Sequence, residues 1–264
     1  FKEGLTARIR HTKISKGYCL ICGALGPLSI DHVPPKCCVT ITRVEQRHVT
    51  DSLNLHDRNI KGVPSTNGSK FKTICQGCNS RLGRTDILIG EAYKQLTKQV
   101  VRYYSEAQLL PKASVPINPI GFARSMIGHI LAATSVRECD NPPISASFFD
   151  PLKGFVLGDD NAIEDTHDIY YWFYPNNVHI SAKLVSFYNE GHSSLVSLLS
   201  FFPVAFMVTK KGEGSYPAQA RKLRFTDEQL SLDLSSRNAH NCTFPFVALS
   251  GNQMFGLNEC QAII

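Results

Sequence analysis

The sequence has few of the features that mark membrane, fibrous or disordered proteins. Its densest apolar stretch, residues 195–208, is interrupted by Ser197, Ser200 and Pro203, so no run reaches the roughly 18 residues of a membrane span. Only 19% of the 264 residues are charged and 43% are hydrophobic, which is enough apolar material for a core. The sequence contains no internal repeat. Integral membrane, coiled-coil and collagen-like classes are therefore excluded, and one large or two modest domains are expected.

Positive charge is concentrated in residues 1–110, which contain 17 Lys and Arg against 8 Asp and Glu. Residues 111–264 contain 11 against 14, and the whole chain has a net charge of +6. A basic half beside a mildly acidic half is typical of proteins in which one part contacts a polyanion. We therefore expect nucleic acid as a partner, DNA ahead of RNA, and no membrane. A solvated basic surface is the alternative explanation.

The nine cysteines do not suit a closed disulfide framework, because their number is odd. Four of them form two Cys-x-x-Cys pairs, Cys19 with Cys22 and Cys75 with Cys78. Two such pairs supply the four thiolates that tetrahedral zinc prefers, so the spacing predicts a structural Zn²⁺ site. The thiols must stay reduced to bind a metal, and we therefore expect a cytoplasmic location. The 52 residues between the pairs are many for a zinc ribbon, which indicates that functional residues lie inside this loop.

Residues suited to phosphodiester hydrolysis lie between and beside the cysteine pairs. His32 can accept a proton from water near neutral pH, because an unperturbed histidine has a pKa of about 6.5. Asp31 and Asn79 offer the oxygen ligands that a hard cation such as Mg²⁺ or Mn²⁺ prefers. Neighbouring residues on a strand point to opposite faces, so Asp31 and His32 can share a site only where the strand ends or twists. The following Pro34-Pro35 is consistent with such an ending.

The order of these residues resembles that of the HNH endonucleases, also called ββα-metal or His-Me finger nucleases. The resemblance covers about residues 16–105 and follows a CxxC…DH…CxxCN pattern. It is carried by Cys19-Leu-Ile-Cys22, by Asp31-His32-Val-Pro-Pro-Lys36, and by Cys75-Gln-Gly-Cys78-Asn79-Ser-Arg-Leu-Gly83.

The resemblance implies a role for each of these residues. Asp31 and Asn79 would ligate the catalytic Mg²⁺ or Mn²⁺, His32 would be the general base, and the four cysteines would hold structural zinc. The Asp–His pair would lie on the first strand of a hairpin, and Asn79 would begin the following helix. Asn79 could also act as the N-cap of that helix, a role that Asn fills well.

The sequence departs from the family pattern in two respects. The stretch from Asp31 to Asn79 is longer than a minimal ββα unit needs, which predicts a polar, basic and irregular insertion after Pro35. No third metal ligand can be assigned; the candidates are His48, His56 and Asp86. The central asparagine of the family pattern is equally open, with Asn54, Asn59 and Asn67 as candidates. Lys36, Arg81 and Arg84 are candidate nucleic-acid contacts, and solvated side chains are the alternative.

Elsewhere the sequence pattern predicts an α+β fold. Apolar residues from Ile89 to Ala107 recur at helical spacing, and the Pro-rich residues 110–119 indicate a linker. A second helix is predicted over residues 120–138, and strands over 28–32, 71–74, 154–158, 169–174, 178–187 and 204–209. We therefore expect a zinc-stapled ββα-metal (HNH) domain over residues 1–110. An α+β domain with a mainly antiparallel sheet would follow over residues 111–264.

The sequence thus favours a metal-dependent HNH endonuclease, a hydrolase that cleaves DNA. The alternative is a non-catalytic zinc module that binds nucleic acid or protein. A pure binding module has no need of Asp31, His32 and Asn79 together, which favours the enzyme. Residues 111–264 carry no assignable motif, and the functions open to them are substrate selection, dimerisation, or regulation through a protein partner. A role in bacterial restriction or anti-phage defence is suggested by analogy only.

Overall fold

A computed structural model describes residues 11–39, 43–49, 62–66, 68–106, 110–189, 191–235, 242–246 and 254–263. The fold mixes helices with mostly antiparallel sheets. Its helices are α1 (Gln76–Ser105), α2 (Pro119–Ala132) and α3 (Asp150–Leu157), with a short 3-10 helix at Val136–Cys139. Among the described residues, no helix combines the length and apolar character that a membrane span requires.

Within the described residues, the strands form three sheets. In chain order they are β1 (Lys16–Tyr18), β2 (Leu25–His32), β3 (Arg43–His48), β4 (Val63–Thr66), β5 (Lys70–Cys75), β6 (Lys112–Pro116), β7 (His167–Phe173), β8 (His179–Asn189), β9 (His192–Phe201), β10 (Val204–Lys210), β11 (Arg221–Lys222), β12 (Gln229–Asp233) and β13 (Met254–Ile263). A small sheet has the order β1-β2-β5, and β12 pairs with β6 alone. The large sheet has the order β11-β7-β10-β9-β8-β13-β3-β4.

The small sheet leads directly into α1. β2 pairs antiparallel with β5, and α1 begins at the residue after β5, with Cys75 as its N-cap. The strands predicted over residues 28–32 and 71–74 are therefore confirmed. The predicted apolar face of α1 is confirmed as far as Val100, because Ile89, Tyr93, Leu96 and Val100 are buried. Tyr103 is only partly buried, and residue 107 lies outside the described residues.

The sequence predicts an irregular insertion after Pro35, but part of this insertion has regular structure. Its described parts include β3 and β4, which pair with each other, and β3 also pairs with β13. Gln46 lies opposite Ile263, more than 200 residues along the chain. This pairing joins residues far apart in sequence, and the polar, basic composition of the segment gives no pattern that would predict a strand.

The large sheet is buried on both faces at β7, which explains the aromatic run there. Side chains on a strand alternate between its two faces. Alternate residues from Ile169 to Phe173 join the main core cluster, whereas Tyr170, Trp172 and the following Tyr174 join a second cluster on the other face. The expectation that these aromatic residues fill a sheet core is confirmed.

Helix α2 lies at the centre of the main core cluster. Asn118 is its N-cap, with Oδ1 accepting the backbone N–H of Gly121 at 2.8 Å, and Pro119 occupies the first turn. Eleven of its fourteen residues are buried. The cluster around it runs from Cys19 to Leu234 and so contains residues from both halves of the chain. The two-domain division proposed from sequence stays a prediction.

Three local predictions are wrong. Residues 154–158 belong to helix α3, because Leu152, Phe155 and Val156 bury one helical face; a short apolar run between glycines does not distinguish a strand from a helix. The helix predicted to reach residue 138 ends at Ala132. The expected linker over residues 110–119 contains β6, which pairs with β12.

The contact between α1 and α2 depends on Gly128. A Cβ atom at this position would lie 2.1 Å from Cδ2 of Leu82, which is itself fully buried and cannot swing away. We predict that Gly128→Ala lowers the free energy of unfolding by about 1–3 kcal/mol, the usual effect of overpacking a core. Denaturant unfolding of the full chain measures this.

Gly83→Ala is the matched control, because no atom lies within 4 Å of a Cβ built at this α1 position. Replacing a helical glycine with alanine should raise the free energy of unfolding by up to about 1 kcal/mol. Equal effects of the two substitutions would contradict the close packing of α1 on α2.

Candidate metal and active site

The four cysteines of the two Cys-x-x-Cys pairs come together at one point. Their sulfur atoms all lie within 4.8 Å of one another. Cys19 and Cys22 flank the turn between β1 and β2, and Cys75 and Cys78 lie where β5 meets α1. The cluster therefore joins the β1–β2 turn to the β5–α1 junction at one end of the small sheet, and it could hold a structural metal such as zinc.

The geometry of the cluster fits zinc. A tetrahedron of sulfurs about 2.3 Å from zinc has edges of about 3.8 Å, and the sulfurs of Cys22 and Cys75 are 3.7 Å apart. The pKa of Cys19 is lowered, chiefly by a hydrogen bond from the Cys78 thiol and also by the backbone N–H of Cys75. That lowered pKa favours the thiolate form of Cys19, which metals bind, whereas the same hydrogen bond raises the pKa of Cys78.

Asp31 and His32 lie at the end of β2, where the strand is irregular. The register between β2 and β5 shifts between Ser29 and Asp31, which indicates a bulge at this point. Bulges re-aim side chains and are common beside functional sites. Asp31 is buried and His32 only partly so, which is the alternation expected of strand neighbours, so the expectation that the two share one site stays a prediction.

His32 has the properties expected of a general base. Burial and the nearby Lys36 lower its pKa, which favours the neutral ring. Its Nε2 atom is shielded from solvent and makes no hydrogen bond within the described part of the chain. This nitrogen therefore has an unused capacity for hydrogen bonding, although it is buried in this structure.

Asn79 lies on the first turns of α1 and is tied to β2. Its Nδ2 atom donates to the backbone carbonyl of Ile30 at 2.8 Å and to Oγ of Ser29 at 3.0 Å. Both donors of the amide face β2, so Oδ1 is the atom left to bind a cation. The N-cap of α1 is Cys75, so the suggestion that Asn79 caps this helix is wrong.

A histidine from α2 joins Asp31 to Asp86. The Nδ1 atom of His129 lies 2.9 Å from Oδ2 of Asp31, and its Nε2 atom lies 3.0 Å from Oδ1 of Asp86. Asp86 also accepts a hydrogen bond of 2.6 Å from Ser125. Burial alone would lower the pKa of His129, but the two carboxylates outweigh it and raise this pKa well above 6.5.

Sequence reasoning missed His129 and weighed Asp86 only as a third metal ligand. The available signals were spacings. Ser125 and His129 are four residues apart on an otherwise apolar helix, and Asn79 and Asp86 are seven apart, which places each pair on one helix face. Of the other candidates, His56, Asn54, Asn59 and Asn67 lie outside the described residues, as does the side chain of His48.

Basic side chains surround His32. Lys70 is the cross-strand partner of His32, so both side chains project from the same face of the small sheet, and Lys36 is exposed nearby. Arg84 is exposed on α1, whereas Arg81 donates from Nη1 to the carbonyl of Leu157 at 2.8 Å. A role in nucleic-acid binding stays a prediction for Lys36, Arg81 and Arg84. Lys70 was not singled out from the sequence, because only the register reveals its place.

The cysteine cluster predicts one zinc ion per chain. Cys22→Ser should remove most of this zinc and lower the unfolding midpoint, because one of four thiolates is lost. Cys22 is exposed, so the substitution itself leaves no cavity in the core. Elemental analysis of the purified full chain measures the zinc.

Cys37→Ser is the control, because Cys37 is not one of the four clustered cysteines. Its zinc content should equal that of the wild type. Stoichiometric zinc in Cys22→Ser, or a zinc-free wild type that is fully folded, would contradict the proposed ligand set.

The chain has no significant match among protein-family models, curated proteins or solved structures. What the molecule does must therefore be inferred from the cysteine cluster and from the side chains gathered where β2 meets α1.

Proposed function

We propose that the chain is a metal-dependent endonuclease of the HNH type that hydrolyses phosphodiester bonds in DNA. The observation that carries the proposal is the attachment of Asn79 to the end of β2, through the hydrogen bond from its Nδ2 to the carbonyl of Ile30. This bond brings an amide oxygen on α1 close to the strand that carries Asp31 and His32. A base and two oxygen ligands are what metal-assisted hydrolysis requires.

The arrangement of backbone elements supports the same proposal. β2 and β5 form an antiparallel pair that continues directly into α1, which is a ββα order. The cysteine cluster joins the start of β2 to the β5–α1 junction. The strands β3 and β4 enter between β2 and β5 in sequence but pair within the large sheet. The insertion therefore lengthens the connection without interrupting the ββα unit.

The oxygen donors fit a hard divalent cation. Mg²⁺ is usually held by one or two carboxylates, with waters and substrate phosphates in its remaining positions. Asp31 and Asn79 would supply the protein ligands, and the bound cation would neutralise charge on the scissile phosphate and the leaving oxygen. The assignment of these two residues as metal ligands rests on their oxygen donors. It also rests on their positions near the end of β2, beside which the first turns of α1 lie.

His32 would act on the proton of the attacking water. Its lowered pKa keeps the ring neutral near neutral pH, so that one ring nitrogen has a lone pair, and Nε2 makes no hydrogen bond among the described residues. Lys70 and Lys36 would bind the phosphate backbone beside it, since ammonium groups supply much of the affinity of proteins for DNA. Each of these roles is performed by a side chain at or beside the end of β2 that carries Asp31 and His32.

The decisive experiment is cleavage of plasmid DNA by the purified full chain in Mg²⁺ or Mn²⁺. His32→Ala should lower the cleavage rate at least ~100-fold, the usual loss on removing a general base, while zinc content and DNA affinity stay normal. Lys98→Ala, at an exposed position on α1, is the control and should cleave like the wild type. Parallel reactions with RNA and with EDTA identify the substrate and the metal requirement.

Near-normal cleavage by His32→Ala with zinc intact would contradict its assignment as the base. A wild type that binds DNA but does not cleave it in any divalent cation would instead favour the non-catalytic zinc module. The first outcome would show that His32 is not the base, and the second would show that the chain is not a nuclease.

The position of Lys70 leads to a separate prediction. Lys70→Met should weaken DNA binding and reduce the slope of log affinity against log salt by about 0.9, the value for one lost phosphate contact. Lys98→Met removes the same charge from an exposed position on α1 and should leave the slope unchanged. Binding measured in EDTA avoids cleavage during the titration. An identical slope for Lys70→Met and the wild type would contradict the contact.

A further inference from the structure

His129 and Asp86 have no role in the proposed mechanism, yet they form one hydrogen-bonded group with Asp31. His129 is completely buried, and the side chain of Asp31 is 6% exposed. Asp31 lies on β2, His129 on α2 and Asp86 on α1, so the group joins three elements of the fold. Ser125, one turn before His129 on α2, holds Asp86 through a further hydrogen bond.

Both ring nitrogens of His129 face carboxylate oxygens, at 2.9 Å and 3.0 Å. Both ring nitrogens are therefore engaged by carboxylates, and neither is directed at a free position where it could bind a metal. His129 is not placed as a third metal ligand in this arrangement. Within the described part of the chain, the group that it can orient at the end of β2 is the carboxylate of Asp31.

We propose that His129 is a positioning residue, which fixes the carboxylate of Asp31 in the orientation needed to bind the divalent cation. Asp86 and Ser125 hold the far side of the imidazole ring and so set its plane. The inference rests on the proposed function, because it assumes that Asp31 is a metal ligand. It also assigns a role to the second half of the chain, which would complete the site by supplying α2.

A purely structural role would produce the same contacts, so the test must separate position from stability. Two amide substitutions do this because each preserves a different half of the ring. The amide nitrogen of Asn lies close to the place of Nδ1, which faces Asp31, and that of Gln lies close to the place of Nε2, which faces Asp86. His129→Asn thus retains a donor for Asp31, and His129→Gln retains one for Asp86.

The experiment measures Mn²⁺ binding and the Mg²⁺ dependence of plasmid cleavage for the full-length variants, together with zinc content and unfolding midpoint. His129→Gln should lose about 10- to 100-fold in divalent affinity or cleavage, the usual range for residues that orient a metal ligand. His129→Asn should lose much less, although both remove one buried hydrogen bond. DNA affinity measured in EDTA should be the same in both.

His179→Gln is the control for replacing a buried histidine, because His179 lies on β8 and makes no hydrogen bond through Nδ1 in the described structure. It should change stability without changing the metal dependence. Equal metal dependence in the Asn and Gln variants, or losses that follow the unfolding midpoint alone, would overturn the positioning role.

The result also separates this inference from the proposed function. A wild type that binds Mn²⁺ through Asp31 but cleaves nothing would refute the endonuclease, and the Asn and Gln variants would still test the position of Asp31. A wild type that cleaves DNA, with His129→Gln unchanged, would refute the positioning role alone. Absence of both cleavage and Asp31-dependent Mn²⁺ binding would overturn both.

Discussion

The close packing of α2 against α1 is the contact on which the candidate site depends. Gly128 lets α2 approach Leu82 so closely that no larger residue fits between them. One turn earlier on α2 and one turn later on α1, the same contact brings Ser125 to Asp86. His129 then reaches across to Asp31 on β2. An apolar contact thus determines where the polar residues of the site meet.

The charged side chains at this contact lower the stability of the fold by their desolvation, which an apolar contact would not do. Removing an ion from water costs on the order of several kcal/mol even after the protein relaxes, and good geometry must offset it. The two hydrogen bonds of His129, and the third from Ser125, supply that geometry. Apolar residues of similar volume would fill the same space with less penalty. The retention of charge here is readily understood if the orientation of Asp31 matters for function.

The sequence predicts those parts of the fold that are encoded locally. The two Cys-x-x-Cys spacings predict the cysteine cluster, and helical periodicity from Ile89 to Val100 predicts the buried face of α1. The contact between His129 and Asp31 could not be predicted, because the two residues are 98 positions apart and meet only through the packing of α2. The pairing of β3 with β13 was hidden for the same reason. Residues 154–158 show that a local prediction can also fail, because a short apolar run is compatible with both a strand and a helix.

Residues from both halves of the chain contribute to the candidate site. Asp31 lies in the basic half, yet the histidine that bonds it lies on α2, beyond residue 110. The backbone of Ala132, at the end of α2, also accepts a hydrogen bond from Thr73 on β5, so α2 touches both strands of the ββα unit. A ββα unit without α2 would lose the bond to Asp31 and expose the apolar face around Leu82. The proposed site therefore requires both halves to be folded together, which would restrict the proposed hydrolytic activity to a chain in which α2 is packed on the ββα unit.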